Sequence, residues 1–567
     1  MVLAMKEFVK SDNKEKIQYL VQRWEELKRA RAPFLNRWKE ISKYISPFSC
    51  KFNIKEHNQT RSSKLILDNE AGYDIDILAS GLMSGASSPA RPWFKLQPSN
   101  ETLLDNYDVV EYCDLVQKIL LKVFSSSNTY NTLHSIYKEL CLFGISANLV
   151  YQDEGKGIKH HLLQAGEYCV ATNNDGDIDT LYRNFELTTT QAVKQFGFDI
   201  LPSEIQDAYK RGDLELYWEF LHAIEPRVDR DIKSASNTNM PYASYYVSLT
   251  TQPKILKESG YSYFPVICPR WNVMGTEAYG ESPAMICLPD VKQLQLETLR
   301  KTELIEQYTK PPLQAPINSR QNPISTKAGA VNYVRNTSDN QIKPIINSVG
   351  DLNAIRQDIM ELKTSIRRQL FVDLFMMVNN HTESSRRTTV EIYALQQEQM
   401  LSLGAVVERN QNECLGKLVN ITYRLLSEMG MLPPPPQVMN GENLEIEFTS
   451  ILAQSQKSVD INGIDRFFSA ISMAGQIAPE VFDRINPDGY VDEYRERIGV
   501  SPKVLRSKEE ADKIRQARQQ AQMQAQQMKE EQQQAMTANQ LAQAQAQGAN
   551  AGLAMQQLDT MGGGDLF

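Results

Sequence analysis

Phosphate-cradling loops, paired cysteines, long apolar runs and an excess of positive charge are all missing from this chain. Its seven cysteines (Cys50, Cys113, Cys141, Cys169, Cys268, Cys287 and Cys414) are scattered over 567 residues without a C-x-x-C pair. That excludes the common zinc-site and disulfide-framework spacings, and leaves buried, reduced thiols that behave as small apolar side chains. No G-x4-G-K-[S/T] loop exists; Gly155-Lys156-Gly157 reads as a turn in polar sequence. No G-x-S-x-G elbow is present either. Six histidines (His57, His134, His160, His161, His222 and His381) show no metal spacing. The adjacent pair His160-His161 reads as two surface residues, since sequence neighbours rarely chelate together on one face. The chain is therefore read as no enzyme, with no cofactor and no metal.

No apolar run approaches the roughly 20 residues that span a bilayer, so no membrane partner is expected. The opening MVLAMKEFVK puts Lys6 and Glu7 where a signal peptide needs an apolar core, and the protein reads as cytosolic when made. Lys and Arg total 61 against 69 Asp and Glu, a net charge of −8. Proteins that grip duplex DNA carry a basic face, because neutralising phosphates supplies most of the affinity. Two readings of −8 stay open: a merely soluble surface, or a surface past which DNA slides without sticking.

What is present is ordinary globular material, 41 % apolar and 23 % charged. The length exceeds what one core supports, and roughly two to four domains are expected. From Lys14 to Ile45 the spacing predicts helix: Ile17, Leu20, Val21, Trp24 and Leu27 form a stripe, Pro33 interrupts it, and Trp38, Ile41 and Ile45 resume it. Gln164 to Leu187 reads as a hairpin around Asn173-Asn174-Asp175-Gly176. Asp175, Asp177 and Asp179 do not make a calcium loop, because Ala171 and Tyr182 stand where ligands are needed. A short capped helix is expected over Thr188 to Phe196, then aromatic-rich strands between Glu215 and Ile267.

The middle of the chain is helical. Pro289 and Asp290 look like a helix start. Val291, Leu294, Thr298, Ile305 and Tyr308 mark one face until Pro311-Pro312, a length on the order of 30 Å. A Pro/Asn/Ser/Gly-rich stretch runs to Gly350. A second helix opens near Asp351, with Leu352, Ile355, Ile359, Leu362 and Ile366 in the rhythm of lengthwise packing. The polar loop MMVNNHTESSRR follows, and Thr388-Thr389-Val390-Glu391 has the spacing of a capping box opening a third helix, bent at Gly404 or Gly416, that ends at Gly430 before Pro433 to Pro436. Leu444 to Phe448 reads as a strand. From Ala511 to Thr560 there are 16 glutamines and no proline, with too weak an apolar rhythm to demand a buried face. A frayed helix or disorder is expected there, ending in Gly562-Gly563-Gly564.

The most informative stretch is Leu78 to Leu96, LASGLMSGASSPARPWFKL. Gly81 and Gly85 would let another backbone approach, Pro89 and Pro92 stop the helix, and Arg91, Trp93 and Phe94 follow. This string resembles the signature of the podovirus-type (T7-like) phage head-to-tail connector, or portal, family. Trp271-Asn272-Val273, Tyr279-Gly280-Glu281-Ser282-Pro283, Arg387-Thr388-Thr389-Val390-Glu391, Gly430-Met431-Leu432 and Phe448 to Lys457 resemble further family segments in the same order. The Arg387 string departs from the family's at two positions, and the Gln-rich tail shows no resemblance.

The resemblance implies an α+β, mainly helical portal fold assembled as a closed ring, usually of twelve copies, at one vertex of the phage head. It implies a wing over 1–287, stem helices at 288–310 and 351–375, and a clip at 311–350 between them. A tunnel loop at 376–387, a long wing helix at 388–436, a crown at 437–506 and the tail at 507–567 complete the layout. Implied partners are other copies of the chain, terminase, tail adaptor and tail proteins, capsid and scaffold proteins, and double-stranded DNA passing without sequence specificity; the implied location is the virion, after assembly in the host cytoplasm. The loop residues expected near DNA are Asn379, Asn380, His381, Arg386 and Arg387. The two arginines either brake backward slipping or pair with Glu383 or Glu391. A scaffold or shell protein, and a packaging enzyme, are the competing classes.

Overall fold

The coordinates are a computed structural model that describes residues 13–47, 64–103 and 106–316 apart from 229 and 231–235, then 352–375, 403–439 and 444–449, with short pieces between 325 and 344 and between 467 and 494, and the helix from 508 to 559. Two compact units divide at Asn462 and Gly463. Helix is the majority element, with sheets interleaved, as the α+β reading expects.

Helix α1 (Asn13–Tyr44) buries Leu20, Trp24, Leu27, Trp38 and Ile41. Pro33 lies inside it without breaking it. The ring is on the exposed side, where water can satisfy the carbonyl that loses its donor, while the buried stripe on the other side holds both halves in register. Helix α2 (Glu70–Ala86) ends at Ser87, whose N–H closes the last turn onto Met83. Strand β1 (Phe94–Pro98) follows, then α3 (Tyr107–Ser126), started by an Asn106 cap on Asp108, and α4 (Thr129–Phe143), ended by Gly144 at φ 74°.

Strands β2 (Ala147–Asp153) and β3 (Gly157–Leu163) form a three-stranded sheet with β9 (Val266–Ile267). The hairpin of β4 (Tyr168–Thr172) and β5 (Ile178–Thr188) forms as its turn chemistry demands. Asn173 Oδ1 accepts from the N–H groups of Asp175 (3.0 Å) and Asp177 (2.8 Å), and Gly176 takes φ 86°. Beyond it, β6 (Tyr217–Pro226), β7 (Tyr242–Ser248) and β8 (Lys254–Tyr261) complete a five-stranded antiparallel sheet in the order β4-β5-β6-β7-β8. Between β5 and β6 sit α5 (Thr189–Phe196), opened by a Thr188/Gln191 capping box, and α6 (Ser203–Arg211).

The His160-His161 pair is not two surface residues. Successive strand side chains alternate faces, so His161 is exposed while His160 is buried between Thr129 Oγ1 (2.9 Å) and Asn148 Nδ2 (2.8 Å). Burial lowers the His160 imidazole to about 4 and keeps it neutral. The six described cysteines are all buried and free.

Helix α7 (Pro283–Thr309) leads to a small sheet of β10 (Leu313–Pro316), β11 (Val331–Val334) and β12 (Lys343–Pro344), and α8 (Leu352–Gln369) returns. Short α9 (Val372–Phe375) follows after Phe371, the one described non-glycine residue at positive φ, 55°. The expected unbroken helix to Phe375 is thus interrupted. A later helical run comprises α10 (Gly404–Asn410), a π-helical turn at Gln411–Gly416 and α11 (Lys417–Glu428). Strand β13 (Leu444–Phe448) pairs antiparallel with β1, Phe94 opposite Phe448.

In the second unit, α12 (Lys508–Asp559) is one continuous helix of 52 residues, the helical form of the tail rather than the disordered one. Ala, Gln, Met, Glu and Lys are all good helix formers, and no proline interrupts them. Met523, Met528 and Met536 are exposed, in keeping with the missing apolar stripe.

Candidate functional site

The elements that the sequence singles out converge on the root of the α7–α8 hairpin. Its first fixed point is a glycine crossing. Trp271 N–H donates to Gly144 O at 2.9 Å, and Gly280 lies against the same backbone. A Cβ on Gly144 would fall 2.3 Å from Gly280 O, and one on Gly280 would fall 2.6 Å from Gly144 O. Only glycine fits at both positions, and Gly144 also needs its positive φ. Two residues on, Ser282 Oγ donates to Leu142 O (2.8 Å) and accepts from Met285 N–H (3.0 Å), so one hydroxyl ties the end of α4 to the start of α7.

Helix α7 therefore starts at Pro283, not at Pro289, which lies inside it. Both prolines suit a first turn; the Ser282 cap, fixed by α4, selects the earlier one. The 27-residue helix is about 40 Å long rather than about 30 Å. Its first half is buried through Val291, Leu294 and Gln295. Gln295 clamps the chain before α2, with Oε1 accepting from Leu67 N–H (2.7 Å) and Asp68 N–H (2.9 Å) and Nε2 donating to Asp68 O (2.7 Å).

Helix α8 is held by polar contacts at the same level. Asp290 Oδ2 accepts from Ser365 Oγ (2.8 Å) and Gln369 Nε2 (2.7 Å), and Lys363 Nζ lies 2.8 Å from Asp68 Oδ2 and 3.1 Å from Glu70 Oε2. Of the expected stripe, Ile359 and Ile366 are buried while Leu352, Ile355 and Leu362 are half-buried. Beyond the root the hairpin is uncovered: Leu296, Leu299, Ile305 and Tyr308 of α7 and Met360 of α8 are all exposed.

The signature string packs against this root. Gly81 and Gly85 are buried in α2, but no second backbone meets Gly81. The ring of Phe375 lies there instead, 2.4 Å from where a Cβ would stand. The glycine supplies the space, and its occupant comes from 294 positions away in the chain. Pro89, Arg91 and Pro92 are exposed in the turn, whereas Trp93 is buried against Phe94 (4.6 Å between rings) and Phe124 (5.9 Å). Ser87 Oγ and Tyr137 Oη share a hydrogen bond of 2.8 Å. The loop residues Asn379, Asn380, His381, Arg386 and Arg387, and the Thr388 capping box, lie outside the described residues.

Two features carry no sequence motif. Arg270 and Glu413 form a buried pair: Arg270 Nη2 lies 2.6 Å from Glu413 Oε1, and both Nε (3.2 Å) and the backbone N–H (2.9 Å) donate to Oε2. Asp74, in α2, is 1 % exposed, and neither carboxylate oxygen has a partner. Burial raises its carboxyl to about 7, with Glu70 adding to the rise. A partner search in the sequence could not find either, since each depends on segments far apart in the chain.

A long two-helix hairpin carrying a small sheet is thus rooted in a mixed α/β body by the YGESP and signature segments. The chain belongs to the bacteriophage head to tail connecting protein family, whose model matches residues 18–505. It is 38 % identical over 511 residues to the probable portal protein of Bordetella phage BPP-1, covering 90 % of this chain and 92 % of that one. It is 35 % identical over 517 residues to the portal protein of Salmonella phage epsilon15, with the same coverage. Among solved structures, the virion of a native gene transfer agent particle aligns with a TM-score of 0.36 at 11 % identity, over 76 % of this chain and 91 % of that one, a likeness too loose to bear on the fold.

Proposed function

We propose that this chain is a phage portal subunit. Twelve copies close into a ring at one vertex of the head, DNA enters and leaves through the central channel, and terminase and then tail adaptor proteins dock on its outer end. The observation that carries the reading is the uncovered apolar half of the α7–α8 hairpin in a chain of the connector family. Leu296 (45 % exposed), Leu299 (43 %) and Tyr308 (59 %) have no cover within the described chain. A neighbouring hairpin supplies it when copies join head to tail with a rotation that closes. Covering the remaining surface of one such leucine is worth about 1 kcal/mol, and the ring repeats the gain at every interface.

In this reading α7 and α8 are the stem and β10–β12 belong to the clip. Residues 376–387, leaving from the hairpin root, reach the lumen with Asn379, Asn380, His381, Arg386 and Arg387. The net charge of −8 suits a channel in which the duplex, carrying one charge per roughly 1.7 Å, moves without being held. Negative-stain imaging of the purified protein tests this. Rings with a central hole are expected, and Leu299→Asp should yield monomers of unchanged helicity. Monomers, shells or particles without a hole from the unaltered protein would refute it.

A further inference from the structure

Helices α2 and α8–α9 run side by side in the same direction, pinned at two levels. At one, Lys363 meets Asp68 (2.8 Å) and Glu70 (3.1 Å); at the other, the Phe375 ring fills the space left by Gly81. Between the pins, Arg367 stands one turn beyond Lys363 and Asp74 one turn beyond Glu70, which places the two side by side. They are not bonded. Both Asp74 oxygens and Arg367 Nε are buried without a partner, and Arg367 makes no ion pair among the described residues.

A buried carboxylate beside an unanswered Nε–H is costly, because each of these atoms gives up water without gaining the other. A second cost lies close by. Phe371 takes φ 55°, a conformation that a bulky side chain adopts only where its surroundings impose it. The two meet on one short stretch, four residues from Arg367 to Phe371.

We propose that Asp74 and Arg367 are the two halves of a latch on the turn between α8 and α9, open in the arrangement described here and closed as an ion pair in a second arrangement, in which Phe371 leaves the left-handed region. Closing requires the Asp74 carboxyl to lose its proton to solvent, so the closed form gains as pH rises. The groups around Asp74 agree with an open state near neutrality. Glu70 on α2 and Asp373 on α9 oppose its charge, while Arg367 and Lys363 on α8 favour it. On α7, the Cys287 thiol stays protonated through burial, and Asp290 is taken up by Ser365 and Gln369. On α4, Lys138 is held by Asp76 at 2.6 Å. The latch operates in a single subunit, whether or not rings form.

Hydrogen exchange on the full-length protein, corrected for intrinsic rates, reads the latch directly. Protection of residues 366–375 should change between about pH 5 and pH 7, by up to about tenfold per unit for a one-proton step, and level off above pH 7. Asp74→Asn and Arg367→Gln should each abolish the change while leaving the exchange of α1 and the five-stranded sheet as it was. The infrared carbonyl absorption of protonated buried acids at pH 6 should lose one component in Asp74→Asn, while the component of Glu139 remains. Exchange of 366–375 that ignores pH in the unaltered protein overturns the proposal. So does a pH response that survives both substitutions. Should Asp74→Asn not fold, Arg367→Gln decides alone.

Discussion

Removing the carboxylate of Glu413 should be among the most damaging single changes to this fold. Arg270 and Glu413 side chains are 4 % and 11 % exposed, and Glu413 accepts three bonds from Arg270: the backbone N–H, Nε and Nη2. Arg270 spends its remaining donors on Glu277 O (2.9 Å) and Gly176 O (3.0 Å), so the pair ties the β4–β5 turn, the segment after β9 and the π-helical turn of residues 411–416 together. Glu413→Ala leaves the guanidinium buried with Nε and Nη2 unanswered, and the Arg270 backbone N–H with them. Breaking one side of a buried pair costs about 3–5 kcal/mol. Arg409, 4.0 Å from Glu413 Oε1, cannot substitute, since it is a second cation. Replacing both partners, as Arg270→Met with Glu413→Leu, removes the stranded charge and should recover most of the loss. Urea unfolding followed by circular dichroism on all variants measures the cycle. A cost below about 1 kcal/mol for Glu413→Ala, or a double variant no better than the single, would refute the reasoning.

Two further outcomes are expected. Glu139 is buried, bonded by Ser146 Oγ at 2.6 Å, and burial raises its carboxyl from 4.5 to about 8. The unfolded chain ionises this group first and so binds fewer protons, which means stability falls as pH climbs from about 4.5 to about 8, by at most about 1.4 kcal/mol per unit. Glu139→Gln should flatten that slope in unfolding titrations at pH 5 and pH 7.5; an unaltered slope would assign it elsewhere. Gly81→Ala should cost about 1–3 kcal/mol, despite a helix-propensity gain of up to about 1 kcal/mol, because the added methyl meets the Phe375 ring at 2.4 Å. Phe375→Leu in the same chain should restore most of it, read as the midpoint of thermal unfolding.

Local chemistry was fully readable from residues alone. The β4–β5 hairpin, the Thr188 cap, the β13 strand and the buried stripe of α1 each depend on side chains within a few positions of one another, and each formed where its spacing puts it. The signature string was enough to point to the family that the comparisons show. What adjoins what was decided elsewhere. Pro289 and Pro283 are equal as helix starters until Ser282 finds Leu142. Gly81 is a gap until Phe375 fills it, and Pro33 breaks a helix only where no tertiary stripe holds both sides. Asp74, Arg367, Arg270 and Glu413 look like ordinary charged residues in the string, and their burial is a property of the assembled helices. Short-range preferences are worth tenths of a kcal/mol to about one, whereas a buried charge or a filled cavity is worth several, so folding settles every conflict between them in favour of the long-range contact.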